Sequence, residues 1–281
     1  ARCLGIRIER IRIESTNTTR NANTSATAAS TGADMNGHAV RIACEVLLAR
    51  LRPFIARLAG LDQEGLVTIR REQIQAGERL LPYTWEKLIA AAWAARISLS
   101  AHGHYATPGL HFDRVTNKGE AFAYHVYGAA LVEATIDTLR GTCRFDAVRI
   151  VHDAGCSLNP GIDRGQVEGA LLQGLGWMTL EEVLHDDKGR LLTDSMTTYK
   201  VPDLFFTPGE VELHWLERSE GGNGPFRSKA IGEPPLMYGI GGWFALLDAL
   251  RAARPGLELP YISPMTHERL LMALHTGETA G

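Results

Sequence analysis

Val148-Arg149-Ile150-Val151-His152-Asp153-Ala154-Gly155-Cys156-Ser157-Leu158-Asn159-Pro160-Gly161-Ile162-Asp163-Arg164-Gly165-Gln166-Val167-Glu168-Gly169 passes from one kind of order to another. The β-branched run Val148 to Val151 reads as a strand that ends at His152-Asp153. Gly155, Asn159, Pro160 and Gly161 supply turn chemistry. From Gly165 to His185 the apolar residues Val167, Leu171, Leu175, Met178 and Val183 recur at helical spacing. Working outward, Ala129 to Asp153 reads as a hairpin whose turn is Thr138-Leu139-Arg140-Gly141-Thr142. Val211 to Leu216 alternates as a strand, and Pro234-Pro235 opens a helix over Leu236 to Ala253. Towards the N-terminus, Val40, Ala43, Cys44, Leu47, Leu48, Leu51, Ile55 and Leu58 predict a long amphipathic helix from Ala33 to near Gly60, kinked at Pro53. Trp85 to Ile97 is a further helix, the segment around Leu66-Val67-Thr68-Ile69 a strand or two, Ile11-Arg12-Ile13-Glu14 a short strand and Ser15 to Ser30 a loop. Strands and helices in this irregular order predict an α+β fold of mixed strands and amphipathic helices.

The chain has 281 residues, 45% hydrophobic and 22% charged, with a net charge of −3. That balance excludes disorder, collagen and coiled coil, and gives no reason to expect nucleic acid or an anionic membrane as partner. Cys3, Cys44, Cys143 and Cys156 lie far apart with no C-x-x-C pair, which argues against a zinc knuckle or a disulfide framework and fits a cytoplasmic protein. No run approaches the roughly 18 apolar residues of a membrane span, and the first residues lack a secretory apolar segment. Asn17-Thr18-Thr19 and Asn23-Thr24-Ser25 therefore read as turn residues rather than glycosylation sites. The chain starts at Ala1 without methionine, and Leu4-Gly5-Ile6 leads straight into Ile8, Ile11 and Ile13, as a piece of a longer protein does.

Three loops precede helices. In the first, Ala28, Ala29, Ser30, Thr31 and Gly32 are small residues before the Ala33 helix. Unpaired N–H groups at that helix start suit a phosphate or another anion, while Ser30 or Thr31 is equally a plain N-cap. In the second, Gln166 and Gln173 share a helix face, where amides either hydrogen-bond a heterocycle or are simply solvated. Cys156 reads as a buried structural thiol or as a nucleophile beside His152. In the third, Phe226-Arg227-Ser228-Lys229-Ala230-Ile231-Gly232-Glu233-Pro234-Pro235, the glycine and prolines restrict the backbone of Glu233. Its carboxylate is either a helix cap or a rigidly placed general base. His102, His104, His111 and Asp113 are spaced as a possible zinc set, although no established zinc spacing is matched and no metal ligand is assigned. Nucleotide-binding and hydrolase-elbow motifs are absent.

Together the three loops resemble the molybdenum-binding part of the xanthine dehydrogenase and aldehyde oxidase family. The matching text is Asn23-Thr24-Ser25-Ala26-Thr27-Ala28-Ala29-Ser30 with Ala33-Asp34-Met35-Asn36-Gly37, then Ser157-Leu158-Asn159-Pro160 with Gly165-Gln166-Val167-Glu168-Gly169-Ala170, then Ser228-Lys229-Ala230 with Gly232-Glu233-Pro234-Pro235. Ile97-Ser98-Leu99-Ser100 and Thr198-Tyr199-Lys200-Val201-Pro202 are similar as well. The resemblance implies that residues 1–281 are the C-terminal portion of a molybdopterin-binding domain in an enzyme that oxidises hypoxanthine and xanthine to urate. It further implies that Ala28, Ala29, Ser30 and Gly32 hold the molybdenum-molybdopterin cofactor through backbone N–H groups, that Gln166 hydrogen-bonds it, and that Glu233 is the general base on Mo–OH.

This chain departs from the family pattern at Arg20-Asn21-Ala22, where a proline is usual, and at Arg164, where an apolar residue is common. The 2Fe-2S clusters, the FAD domain and the first half of the molybdenum site have no counterpart in it. The resemblance places them in preceding domains or a partner subunit of an enzyme that is a homo-oligomer, and implies that the isolated chain has no turnover. An aldehyde oxidase-type hydroxylase and a non-catalytic cofactor- or partner-binding fragment remain as alternatives.

Overall fold

A computed structural model describes residues 1–20, 26–217, 221–258 and 261–276, in two compact units, Ala1–Ala123 and Tyr124–Gly281. Asn23-Thr24-Ser25 lies outside the described residues, as does part of the loop before Phe226.

In the first unit the long helix is α1, Gly32–Ala59, and it continues through Pro53 without interruption. It stops at Gly60, whose φ of 71° is left-handed and whose N–H returns to Ala56 O and Arg57 O. Strands β1 (Val67–Arg70), β2 (Gln73–Ala76) and β3 (Arg79–Leu80) form an antiparallel meander. The β1–β2 turn places Arg71 and Glu72 at φ 49° and 66°, the paired positive values that match the right-handed strand twist. Helix α2, Trp85–Ala94, starts at Thr84, whose hydroxyl accepts from Lys87 N at 3.3 Å. Leu51, Phe54 and Ile55 of α1 and Leu88 and Ala92 of α2 close over Val67, Ile74 and Ala76. The short strands β4 (His111–Asp113) and β5 (Lys118–Glu120) pair in an exposed hairpin that the periodicity does not reveal.

The strand expected at Ile11 to Glu14 is not formed. Among the described residues no strand pairs with it, and Ile13 is 94% exposed. The preceding single 3-10 turn, Ile8–Arg10, is held instead by charge: Arg10 hydrogen-bonds Glu72 and Glu86. Asn17 does behave as a turn residue, its Oδ1 accepting from Thr19 N at 3.0 Å. The Ile97 to Ser100 text runs beside α1, where Arg50 Nη1 donates to Ser98 O (3.1 Å) and Ser100 O (2.7 Å).

The second unit is built on β6 (Gly128–Ile136), β7 (Cys143–His152) and β8 (Glu210–Trp215). The β6–β7 hairpin is antiparallel as expected, with Gly141 at φ 67° and Asp137 Oδ1 accepting from Leu139 N and Arg140 N. β8 lies parallel to β7, so the chain between them is a crossover. That crossover contains α3, Pro160–Thr179. It begins earlier than Gly165 because Asn159 caps it and Pro160 has a φ already suited to a first turn. It ends earlier than His185: a Cβ on Gly176 would meet Pro202 Cδ at 2.5 Å, so the Thr198 to Pro202 text lies across its last turn. Pro234-Pro235 opens a 3-10 stretch, Pro234–Gly239, and α4 follows only from Ile240 to Ala253.

Helix α5, His267–His275, escaped the sequence reading; Thr266 caps it and it buries Leu270 and Ala273. Val148 and Ile150 of β7, Val167, Leu171 and Leu175 of α3, and Trp243, Leu246 and Leu250 of α4 form the core. Each such side chain contributes about 1.5–3 kcal/mol on burial. The α+β class is as expected. Among the described residues no helix is long and apolar enough to cross a membrane.

Candidate active site

The second and third helix-opening loops are joined in the second unit. At the end of β7 the Asp153 carboxylate is buried, and a buried charge is tolerable only when paired. Its Oδ2 receives Lys229 Nζ at 2.5 Å and its Oδ1 receives Gly155 N at 3.1 Å. Lys229, also buried, donates to His125 O at 3.1 Å and stands 5.7 Å from the Tyr127 ring centroid. Backbone bonds continue the junction: Lys229 N to Ala154 O at 3.0 Å and Cys156 N to Arg227 O at 2.9 Å. The loops approach so closely at this bridge that a Cβ on Gly155, whose φ is 60°, would lie 2.4 Å from Arg227 O. Phe226 and Arg227 adopt left-handed φ of 56° and 67° to enter it, conformations that carry strain in residues other than glycine.

His152, one residue earlier, is fully buried, and its Nδ1 meets Tyr238 Oη at 2.6 Å. Burial pushes the imidazole pKa down and the phenol up to about 12, so the pair is neutral around pH 7.

Glu233 lies between these attachments. Its side chain is exposed and forms no capping hydrogen bond, so the cap reading fails. Its backbone is held: its carbonyl accepts from Leu236 N at 3.0 Å and Pro235 is buried. Beyond it Gly239 touches Gly174 of α3, where a Cβ on Gly239 would lie 2.1 Å from Gly174 C. Pro234 and Pro235 lack N–H donors and Gly174 and Gly239 lack side chains, which lets the 3-10 stretch sit directly on α3.

Gln166 and Gln173 are both exposed on α3, with Val167 buried beside Gln166. Gly165 and Gly169 flank Gln166, and a Cβ on either would meet nothing within 4 Å, so the helix backbone is bare there. Arg164 is exposed and paired with Glu168 at 2.6 Å. The first loop belongs to the other unit. Ala29 and Ser30 take left-handed φ of 53° and 54°, and Thr31 occupies the N-cap position. The plain-cap alternative is not realised: Thr31 Oγ1 turns back to Ala28 O at 2.9 Å and offers no cap to the first turn. The N–H groups of Gly32 and Ala33 have no acceptor within the helix, as at any helix start.

Other candidates separate. Cys156 is exposed, which corrects the buried-thiol expectation, whereas His152 is wholly buried on Tyr238. Among the described residues no three His, Cys, Asp or Glu side chains form a group able to hold a metal, so His102, His104, His111 and Asp113 do not converge. Sequence reasoning overlooked the Asp153–Lys229 pair. Its only trace was two charged residues inside otherwise small or apolar loop text.

The sequence pattern of the molybdopterin cofactor-binding domain matches residues 1–207. The chain belongs to that family. Relatives similar to it include xanthine dehydrogenase of Drosophila pseudoobscura pseudoobscura, 39% identical over 97% of this chain and 19% of the relative. Xanthine dehydrogenase/oxidase of Mus musculus is 40% identical over 90% of this chain and 17% of its own. The chain thus spans about a fifth of the length of these relatives. Among solved structures, quinoline 2-oxidoreductase from Pseudomonas putida 86 superposes with a TM-score of 0.79 at 20% identity, covering 97% of this chain and 33% of that one. Aldehyde oxidoreductase from Desulfovibrio gigas gives 0.71 at 24% identity, covering 97% and 26%. These likenesses establish the shared fold of mixed helices and sheets.

The residues suit a molybdopterin group. In the first unit, amides without a side-chain cap open α1. In the second, a bare glycine-flanked helix surface carries the exposed Gln166 amide, and the Glu233 carboxylate stands without a capping hydrogen bond on a held backbone.

Proposed function

We propose that residues 1–281 are the C-terminal part of the molybdenum-binding domain of a hydroxylase that oxidises hypoxanthine and xanthine to urate, with Glu233 as general base. The observation that carries this reading is the exposed, uncapped carboxylate of Glu233 on a backbone fixed on both sides. The 39–40% identity to xanthine dehydrogenases supports the purine substrate.

In this reading the backbone N–H groups of Ala28, Ala29, Ser30 and Gly32 and the amide of Gln166 bind the cofactor. When bound, that group supplies the two-electron redox centre for hydroxylation at an electrophilic carbon. Glu233 holds a carboxylate oxygen ready to accept the proton released during oxygen transfer, and placement matters before basicity. The exposed Gln166 amide both donates and accepts, which fits the mixed edge of a pterin. FAD, 2Fe-2S clusters and the groups that orient substrate belong to domains or a partner subunit beyond these residues.

Glu233→Gln in the assembled enzyme tests the assignment. General-base catalysis predicts a loss of about 100-fold or more in turnover of xanthine with molybdenum content retained. Unchanged turnover, or loss of molybdenum in step with activity, overturns it. Faster turnover of benzaldehyde than of xanthine by the parent would transfer the reading to an aldehyde oxidase-type enzyme. Detectable xanthine oxidation by the 281-residue chain alone would overturn the inference that it is one wall of the site.

A further inference from the structure

Two consecutive residues at the end of β7 grip the chain on opposite sides of Glu233. Asp153 holds Lys229, which precedes Glu233 by four residues, and His152 holds Tyr238, which follows it by five. The Asp153–Lys229 grip is buried and adds to the backbone bridge beside it, while the His152–Tyr238 grip is part-buried and is made by side chains. The Lys229 end also gathers a third segment, through His125 O and the Tyr127 ring, while Tyr124 Oη accepts the N–H of Ala230 at 2.8 Å. Between the grips lie only Ala230, Ile231, Gly232, Glu233 and the rest of a proline-stiffened 3-10 stretch. A short segment fixed at both ends loses most of its backbone freedom before any ligand binds.

We infer that His152 and Asp153 form a two-sided clamp, and that Lys229 and Tyr238 are positioning residues that fix where the Glu233 carboxylate points. This rests on the reading of Glu233 as the base, but the clamp itself is a property of the backbone and is measurable without turnover. The physical content is specific. The ion pair fixes the approach of the chain, and the imidazole–phenol bond fixes its departure onto α3. Among the described residues the carboxylate between them makes no capping hydrogen bond, so its direction is set by these two remote attachments.

The test uses Tyr238→Phe, which removes one oxygen and keeps the ring, together with Lys229→Met and Lys229→Arg, all in the assembled enzyme. Backbone amide exchange over residues 229–239 should be about tenfold faster in Tyr238→Phe and Lys229→Met than in the parent, with β6 and β7 unchanged in Tyr238→Phe. Lys229→Arg, which keeps the charge, should restore at least part of that protection. In the same two variants kcat for xanthine should fall about tenfold or more while KM stays within about twofold and molybdenum content is retained. Exchange over 229–239 equal to the parent in Tyr238→Phe overturns the clamp, as does acceleration in that variant spread evenly through β6 and β7. If Lys229→Met does not fold, Tyr238→Phe decides alone. Repeating the exchange measurement in a Glu233→Gln background separates the two readings. Faster exchange there supports the clamp even if Glu233→Gln leaves turnover intact and removes Glu233 as the base.

Discussion

Asp153 and Lys229 form an ion pair of 2.5 Å whose side chains are 2% and 5% exposed, and it ties the end of β7 to the loop that leads into Glu233. Two charges so completely withdrawn from water are stable only together. Removing one leaves the other buried and unpaired, which costs about 3–5 kcal/mol. Lys229→Met should therefore destabilise the chain by about that amount in urea unfolding. The double variant Lys229→Met with Asp153→Leu should be less destabilised than either single variant, because it leaves no uncompensated charge. A double variant weaker than both singles would show that the pair does not stand alone.

The Gly174–Gly239 contact gives a second expectation. A Cβ on Gly174 would lie 2.1 Å from Leu236 O, and one on Gly239 would lie 2.1 Å from Gly174 C. Neither neighbour is a flexible side-chain tip, so Gly174→Ala and Gly239→Ala should each cost about 1–3 kcal/mol or more by forcing the 3-10 stretch off α3. Because both substitutions act on one contact, the double variant should cost less than the sum. Additive losses in thermal melting would contradict a shared contact.

Acid should loosen the first unit through Glu72. Hydrogen bonds from Arg10, with Arg7 adding to them, lower the Glu72 carboxyl pKa from 4.5 to about 2. A depressed folded value means that the unfolded chain binds the proton more readily. The contribution is therefore present above pH 4.5 and is lost as pH falls from there through about 2. Glu72→Gln should flatten the fall of stability with pH across that window while lowering stability at pH 7. An unchanged slope below pH 4.5 in a pH series of denaturation midpoints would remove Glu72 from the account.

The thiols should differ in reactivity. Burial pushes Cys143 up to about 11, and its sulfur sits 3.5 Å from His267 Nε2, a ring whose own pKa burial lowers. Cys156 is exposed. Iodoacetamide at pH 8 should label Cys156 in the native protein at least about 10-fold faster than Cys143, since the thiolate is the reactive form. Equal labelling, read by peptide mass, would mean that the β7 end of the core opens readily.

Much of the framework was legible in the residues. The apolar spacing of α1, its stop at Gly60, the β6–β7 hairpin around Gly141 and the exit of β7 at His152-Asp153 all follow from local chemistry. So does the place of Glu233 between a glycine and two prolines. Where the sequence misled, the missing information was a partner. Ile11 to Glu14 alternates like a strand but forms none, and the Arg10–Glu72 contact across distant sequence holds the turn just before it. α5 has a short apolar face that gains meaning only against the core it closes. The His102, His104, His111 and Asp113 set had ligand-like spacing but lies on segments that do not bring the four side chains together.

The sequence by itself determined the long helices α1 and α3 and the β6–β7 hairpin, because periodicity, capping and turn residues act over a few neighbours. It also determined the family, because the loop wording is long and specific. Only the tertiary structure decided that β8 runs parallel to β7, that Gly174 accepts Gly239, and that His152 and Asp153 hold Tyr238 and Lys229 on either side of Glu233. Those relations join residues distant in the chain. They depend on burial, which turns a lysine and an aspartate from solvated surface charges into an obligatory pair, and no local pattern encodes that.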